Sequence, residues 1–307
     1  MHHGNLGPFV NLDAMDYRGR VAPSPTGLLH VGHARTFWIA AQRAQEHQGT
    51  LILRNEDLDP QRCRPEFVEA MIEDLRWLGI FWKEGPDRGG PFEPYTQSAR
   101  REHYLAIWKQ LRGMGAIYPC TCSRRDVAMA AGAPDDADDE PLYSGKCRSE
   151  LDGNSNSALA EAGSPGGVNW RFRVPDGEKI CFTDLHLGPQ VKIAGQDFGD
   201  FIVWRKDDVP AYQLAVVADD AAMGITEVVR GADLLTSTAR QILLYRALAL
   251  PIPTLYHCDL IRDEAGVRLA KRHDSLSIRK LREMGWTPEA VRAGAGGSLL
   301  PHSVPAR

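Results

Sequence analysis

His30 and His33 stand about one helical turn apart, separated by Val31 and Gly32, and they directly follow Pro23-Ser24-Pro25-Thr26-Gly27 and Leu28-Leu29. Two prolines and a glycine end an extended segment and force a turn, and the run from Ala34 to Gln48 carries helical rather than alternating periodicity. Strand, turn and helix in an open parallel sheet put the helix N-terminus at the carboxyl end of a strand, where free backbone N–H groups favour phosphate. His30 and His33 then sit at that phosphate site, and Gly32 removes a side chain where a nucleotide could lie against the backbone. Taken alone, His-x-x-His is as readily a pair of surface or metal-binding histidines. The preceding Pro-Ser-Pro-Thr-Gly favours the nucleotide turn.

Three further groups of residues could do chemistry. Thr50-Leu-Ile-Leu-Arg-Asn-Glu-Asp57 reads as a short buried strand with a charged tip, which puts Glu56 among ligand-contacting groups unless the tip is a solvated acidic loop. Cys120-Thr-Cys122 and Cys147, in a later glycine-containing loop, can reach one tetrahedral centre, and zinc is the usual partner of thiolates in a reducing compartment. The alternative is three unrelated reduced thiols. Arg230 ends the β-branched run Thr226-Glu-Val-Val-Arg230, which turns at Gly231 into a helix capped by Asp233 or a neighbour. A guanidinium there forks onto a carboxylate, or is merely a surface charge at a strand end.

The elements that must position these groups are legible in outline. Pro65 to Leu78 is an amphipathic helix with Phe67, Met71, Leu75 and Leu78 at helical spacing and Gly79 closing it. Ser98 to Met114 is a second, with Ser98 as N-cap and Tyr104, Ile107, Trp108 and Leu111 on one face. Trp77, Phe81 and Trp82 read as core or hinge aromatics. Short strands are predicted over 169–174, 179–184, 201–204 and 255–261, a mixed apolar segment opens at Pro210, and a short basic helix spans 277–284. Pro134 to Glu140 is an acidic low-complexity insert and Glu150 to Val168 a flexible surface loop. The chain has 307 residues, 43% hydrophobic and 25% charged, with a formal net charge of -4, so a globular protein without a global basic field is expected. No apolar run reaches membrane-spanning length, and a cytoplasmic protein is the default.

His30-Val-Gly-His33 resembles the HIGH signature of class I aminoacyl-tRNA synthetases, and Arg20-Val-Ala-Pro-Ser-Pro-Thr-Gly27 resembles their glutamyl branch. The resemblance runs from about Tyr17 to about Arg292 and implies an α/β, Rossmann-like catalytic domain carrying an inserted zinc-binding, acceptor-end-type subdomain. It implies that Arg20, Val21, Ala22, Pro23, Ser24, Glu56, Tyr212 and Arg230 hold L-glutamate, with Glu56 on the ammonium and Arg230 on the side-chain carboxylate. His30, Gly32 and His33 would attend ATP. Arg268-Leu269-Ala270-Lys271 resembles a divergent KMSKS loop, with Arg268 in place of the first lysine and Ala270 in place of the serine; Arg268, Leu269 and Lys271 would contact ATP, and Lys271 its phosphates. Cys120, Cys122, Tyr143 and Cys147 match a Cys-x-Cys, Tyr-x-x-x-Cys zinc site of the glutamyl-Q tRNA(Asp) synthetase family.

Fewer than 40 residues follow Lys271 in the chain, too few for a helical anticodon reader, so the glutamyl-Q branch is the expectation. That branch implies tRNA-independent activation of glutamate with ATP and Mg²⁺, and transfer to the queuosine base of tRNA(Asp), by a monomer. The boundaries expected are an extension over 1–17, catalytic halves over 18–117 and 201–293, an insertion over 118–200 and a tail over 294–307. A shortened glutamyl-tRNA synthetase, a nucleotidyltransferase and a non-catalytic RNA-binding module are the alternatives.

Overall fold

Thr50–Leu53 is an apolar quartet and pairs in parallel, as β2, with Arg18–Val21, β1, whose last three residues are buried beside it, and α1 (Val31–Glu46) crosses between them. The computed structural model describes residues 16–123, 125–127, 142–148, 163–260 and 277–294. Next come α2 (Pro65–Trp77), with proline in its first turn and Gly79 at φ 74° behind it, and α3 (Arg101–Gly113). Only glycine takes that left-handed backbone without strain, which is why the helix stops there.

Ser98 does not cap α3. A 3₁₀ turn over Gln97–Arg100 precedes the helix, and Ser98 instead gives both its backbone N–H (2.8 Å) and its hydroxyl (2.7 Å) to the Asp57 carboxylate. The hydroxyl thus ties the charged tip that follows β2 to this turn. Phe81 is 66% exposed and belongs to no core, whereas Trp82 is buried with its indole N–H on Asp87 (2.7 Å).

The middle of the chain supplies β3 (Ile117–Cys120), β4 (Asn169–Phe172), β5 (Lys179–Asp184), β6 (Gly188–Ile193) and β7 (Phe201–Trp204). Strands β3, β4 and β7 form an antiparallel sheet; β5 and β6 form a hairpin. The sequence pattern missed β6, whose Pro, Gly and mixed polar residues mask its alternation. After it come α4 (Tyr212–Ala222), β8 (Glu227–Gly231), α5 (Leu235–Ala247), β9 (Thr254–Cys258), α6 (Ile278–Glu283) and α7 (Pro288–Gly294). Asp233 lies in a 3₁₀ turn and does not cap α5, whose N-cap position is Leu234.

Strands β8 and β9 are parallel, and β5 joins β9 in parallel at Asp184 opposite Leu255. Strand β1 adjoins β8, because the Thr226 N–H donates to the Arg18 carbonyl (2.9 Å) and Arg20 reaches the Val229 carbonyl further along. The result is a Rossmann-like sheet with β2, β1, β8 and β9 running the same way. One core packs Trp108, Trp170 and Trp204 between α3, α4 and the antiparallel sheet; another packs Val21, Val31, Met71, Leu75 and Ile278 under α1, α2 and α6. Helix α4 is buried from Leu214 to Asp220, so it runs through the centre of the molecule with two carboxylates, Asp219 and Asp220, in its last turns. Among the described residues no helix is long and apolar enough to cross a membrane. The acidic insert at 134–140, residues 150–162 of the surface loop and the KMSKS-like segment lie outside the described residues.

Candidate active site

The carboxyl ends of β1, β2, β8 and β9 converge on a cavity of about 420 Å³. Arg20, Ala22, Pro23, Ser24, His30, Gly32, His33, Glu56, Tyr212 and Arg230 all line it. Ligands of open α/β sheets bind at this edge because loops and helix N-termini gather there. Val21 does not line the cavity. Alternation along β1 turns its side chain into the core, where it is fully buried, while its carbonyl accepts the Arg54 N–H (2.9 Å). Asp233, Asp259 and Leu260, which were not singled out as site residues, line the cavity as well. Their only sequence signal is position, just beyond the ends of β8 and β9.

The histidines cap the helix they begin. The His30 Nδ1 accepts the Gly32 N–H (3.2 Å), and the His33 Nδ1 accepts the His30 N–H (3.4 Å), a reciprocal capping box built from imidazoles. An Nδ1 that accepts leaves the ring proton on Nε2, so each neutral ring offers an Nε2–H donor. Burial lowers the pKa of His30, and burial together with His30 lowers that of His33 to about 3. The rings stack at 3.7 Å. A Cβ on Gly32 would lie 3.1 Å from the His30 ring, so glycine also makes room for the cap.

On the opposite wall, the fully buried Arg54 pairs with Glu56 (2.9 Å), Asp220 (2.7 Å) and Asp219 (3.8 Å). Arg20 joins through Asp220 (3.2 Å), and Arg100 through Asp219 (2.7 Å). Three guanidinium groups thus face three carboxylates, and the pairs cross between the two halves of the sheet. Burial resists charge on Asp220, yet Arg54 and Arg20 hold its pKa below the ordinary range; burial raises that of Glu56 against the pull of Arg54. Only Oε1 of Glu56 is taken up by Arg54.

Arg230 is as deeply placed, 4% exposed, but its partners are neutral: Nε donates to His257 Nε2 (3.2 Å), one terminal nitrogen to Gln241 (2.7 Å) and the other to Thr238 (2.6 Å). Among the described residues none of its hydrogen-bond partners is a carboxylate, and Asp220 interacts with its charge only at a distance. A guanidinium carries five N–H groups, so two remain, one on each terminal nitrogen. A buried cation whose protein partners are all neutral is costly unless a ligand supplies the anion.

Outside the lining of this cavity, the sulfurs of Cys120, Cys122 and Cys147 lie within 4.8 Å of one another, with Cys122 and Cys147 3.6 Å apart. The Tyr143 hydroxyl is 3.5 Å from the Cys120 sulfur and 3.7 Å from that of Cys122, and accepts the Cys147 N–H (2.8 Å). Thiolates around a tetrahedral zinc stand about 3.8 Å apart, a spacing this cluster meets with little movement.

Arg268, Leu269 and Lys271 lie outside the described residues, but both flanks of their segment reach the cavity. Leu260 lines it, and Ser277 pairs with His30, where the Ile278 N–H donates to the Leu29 carbonyl (2.8 Å).

Residues 16–296 match the family model of tRNA synthetases class I (E and Q), catalytic domain. The chain is 48% identical over 274 residues to a protein of Symbiobacterium thermophilum named glutamyl-Q tRNA(Asp) synthetase, covering 89% of this chain and 83% of that one. It is 47% identical over 291 residues to a protein of the same name from Nitratidesulfovibrio vulgaris, covering 94% and 88%. A crystal structure of a glutamate tRNA ligase from Elizabethkingia meningosepticum, in complex with its amino acid, superposes with a TM-score of 0.68 at 28% identity, covering 89% of this chain and 54% of that one. The chain belongs to the class I tRNA synthetases of the E and Q group through their catalytic domain, and is an enzyme of the aminoacyl-tRNA ligase type.

Proposed function

We propose that this enzyme activates L-glutamate with ATP, without tRNA, and transfers the glutamate to the queuosine base at the wobble position of tRNA(Asp). The observation that carries the amino-acid assignment is Arg230, a buried cation with only neutral protein partners among the described residues, facing a cavity whose other wall holds Glu56. Arg230 takes the side-chain carboxylate, Tyr212 packs beside it, and Glu56 takes the ammonium, with Arg20 and Ser24 completing the pocket. Glutamine, lacking the charge, would leave Arg230 uncompensated, which is how such a pocket rejects it.

In the first step an oxygen of the glutamate α-carboxylate attacks the α-phosphorus of Mg²⁺-bound ATP. The new O–P bond forms as the bond to the β-phosphate oxygen breaks, and pyrophosphate leaves with the electron pair. The Nε2–H groups of His30 and His33 donate to phosphoryl oxygens as their charge grows, and Lys271, with Arg268 and Leu269 beside it, steadies the departing pyrophosphate. The two flanks of the 261–276 segment at the cavity support that placement. In the second step a hydroxyl of the queuosine base attacks the adenylate carbonyl and AMP leaves. Cys120, Cys122, Cys147 and Tyr143 would hold one structural zinc, giving the inserted region a rigid centre. The names of the relatives at 47–48% identity support queuosine as the acceptor.

His-Val-Gly-His-Ala-Arg-Thr looks more like the motif of a full-length glutamyl-tRNA synthetase, which favours a second reading, a shortened synthetase that charges the 3′ end of tRNA(Glu). ATP–pyrophosphate exchange with each amino acid, with and without tRNA, separates the two. Exchange with glutamate alone, followed by labelling of queuosine-containing tRNA(Asp), supports the first; exchange that requires tRNA(Glu) supports the second.

A further inference from the structure

Three neighbouring parallel strands bring one residue each into a row. Arg230 on β8 stands directly opposite His257 on β9, and Asp184 ends β5 on the far side of β9. The His257 Nδ1 lies 2.6 Å from an Asp184 oxygen that also accepts the His257 backbone N–H (3.0 Å). The other Asp184 oxygen accepts the N–H groups of His186 (3.0 Å) and Leu187 (2.8 Å). With four backbone and ring N–H groups converging on it, Asp184 is an acceptor only, so the ring proton sits on Nδ1 and Nε2 presents its lone pair. That lone pair meets Arg230 Nε–H at 3.2 Å and the Thr238 hydroxyl at 2.8 Å.

All three side chains are buried, and the imidazole is fully so. Burial and the charge of Arg230 lower His257 to about 4, so the ring between carboxylate and guanidinium is neutral. The charge of Asp184 therefore reaches Arg230 through an imidazole rather than by contact. A direct ion pair would satisfy the guanidinium; this arrangement orients it and leaves two N–H groups for a ligand.

We infer that His257, anchored by Asp184, is a positioning residue that sets the orientation in which Arg230 receives the anionic end of the substrate amino acid. The inference rests on the glutamate reading of the pocket. It also gives the inserted hairpin, through Asp184, a part in the amino-acid pocket of the catalytic halves.

His257→Asn keeps an amide N–H near the Nδ1 position, facing Asp184, and loses the group that faces Arg230. His257→Gln keeps an acceptor near the Nε2 position and loses the contact to Asp184. The two are of similar size and polarity, so they separate orientation of Arg230 from general packing. The experiment measures KM and kcat for glutamate in ATP–pyrophosphate exchange, glutamate affinity by calorimetry, and melting temperature. Loss of one hydrogen bond to a charged group predicts that His257→Asn weakens glutamate by about tenfold or more in KM and in Kd, with KM for ATP unchanged. His257→Gln should stay nearer the wild type. Equal effects of the two variants, the reverse order, or a glutamate KM and Kd within about twofold of wild type in His257→Asn would overturn the inference. If the wild type binds and activates a different amino acid, or Arg230→Met binds glutamate as well as the wild type, the glutamate reading itself fails. The two failures are therefore distinct.

Discussion

Two buried arginines, Arg54 and Arg230, should respond in opposite ways to the same substitution. Arg54 is fully buried against Glu56, Asp219 and Asp220. Arg54→Met leaves those carboxylates short of a cation inside the protein, and breaking a buried pair in this way costs about 3–5 kcal/mol. For a domain of this size the melting temperature should drop on the order of 10 °C. Arg230 has His257, Thr238 and Gln241 as partners, all neutral, so Arg230→Met removes the desolvation cost of a charge together with three hydrogen bonds. Those terms oppose each other, and the stability change should stay within about 1 kcal/mol. Activity behaves differently. Truncating one partner of a buried charge pair costs about 2–5 kcal/mol, so Arg230→Met should lower kcat/KM for glutamate roughly 30- to 4,000-fold. Glutamate should lose its advantage over glutamine in the same variant. Scanning calorimetry and ATP–pyrophosphate exchange on both variants make the test. If Arg230→Met melts as early as Arg54→Met while keeping its preference for glutamate, Arg230 is a structural ion and the reasoning fails.

Acid should destabilise the fold through His257. Its folded pKa of about 4 lies below the ordinary 6.5, so between those values the unfolded chain binds the proton that the folded chain does not. The contribution is fully present above pH 6.5 and declines by roughly 3 kcal/mol as pH falls to 4. Chemical denaturation across that range should show the slope, and His257→Gln should make it shallower, with His30 and His33, whose pKa values burial also lowers, carrying part of the remainder. His33→Ala removes an Nε2–H donor and should lower kcat by about 10²–10³ with KM for glutamate little changed, as steady-state exchange kinetics would show. Lys271→Ala should likewise abolish exchange while glutamate binding persists in calorimetry. Elemental analysis should find about one zinc per chain, lost in Cys147→Ser. Retention of full zinc by that variant would place the metal elsewhere.

Much of the site was legible because local chemistry dictates it. Pro-Ser-Pro-Thr-Gly before His-x-x-His specifies strand, turn and helix start within fourteen residues, from Arg20 to His33, and the histidines then cap the helix that they begin. The Cys-x-Cys spacing with Cys147 likewise announced a cluster that the fold brings within 4.8 Å. Two residues sit differently from expectation, one because of a remote partner and the other because of the alternation of its own strand. Ser98 has the residue type of an N-cap, yet Asp57 competes for both its donors. Val21 sits inside the glutamyl-like motif, yet strand alternation turns it into the core.

The sequence by itself determined which residues are chemically capable: imidazoles at a strand-to-helix turn, a carboxylate and a guanidinium at strand tips, clustered thiols. Only the tertiary structure decided their electrical state. Whether a buried arginine is neutralised or left to seek an anion depends on which side chains stand across neighbouring strands, and no local pattern reports that. Arg54 meets Asp220, 166 positions away, and becomes part of the scaffold. Arg230 meets His257, 27 positions away, which in turn meets Asp184, 73 positions away, and its charge stays turned toward the cavity.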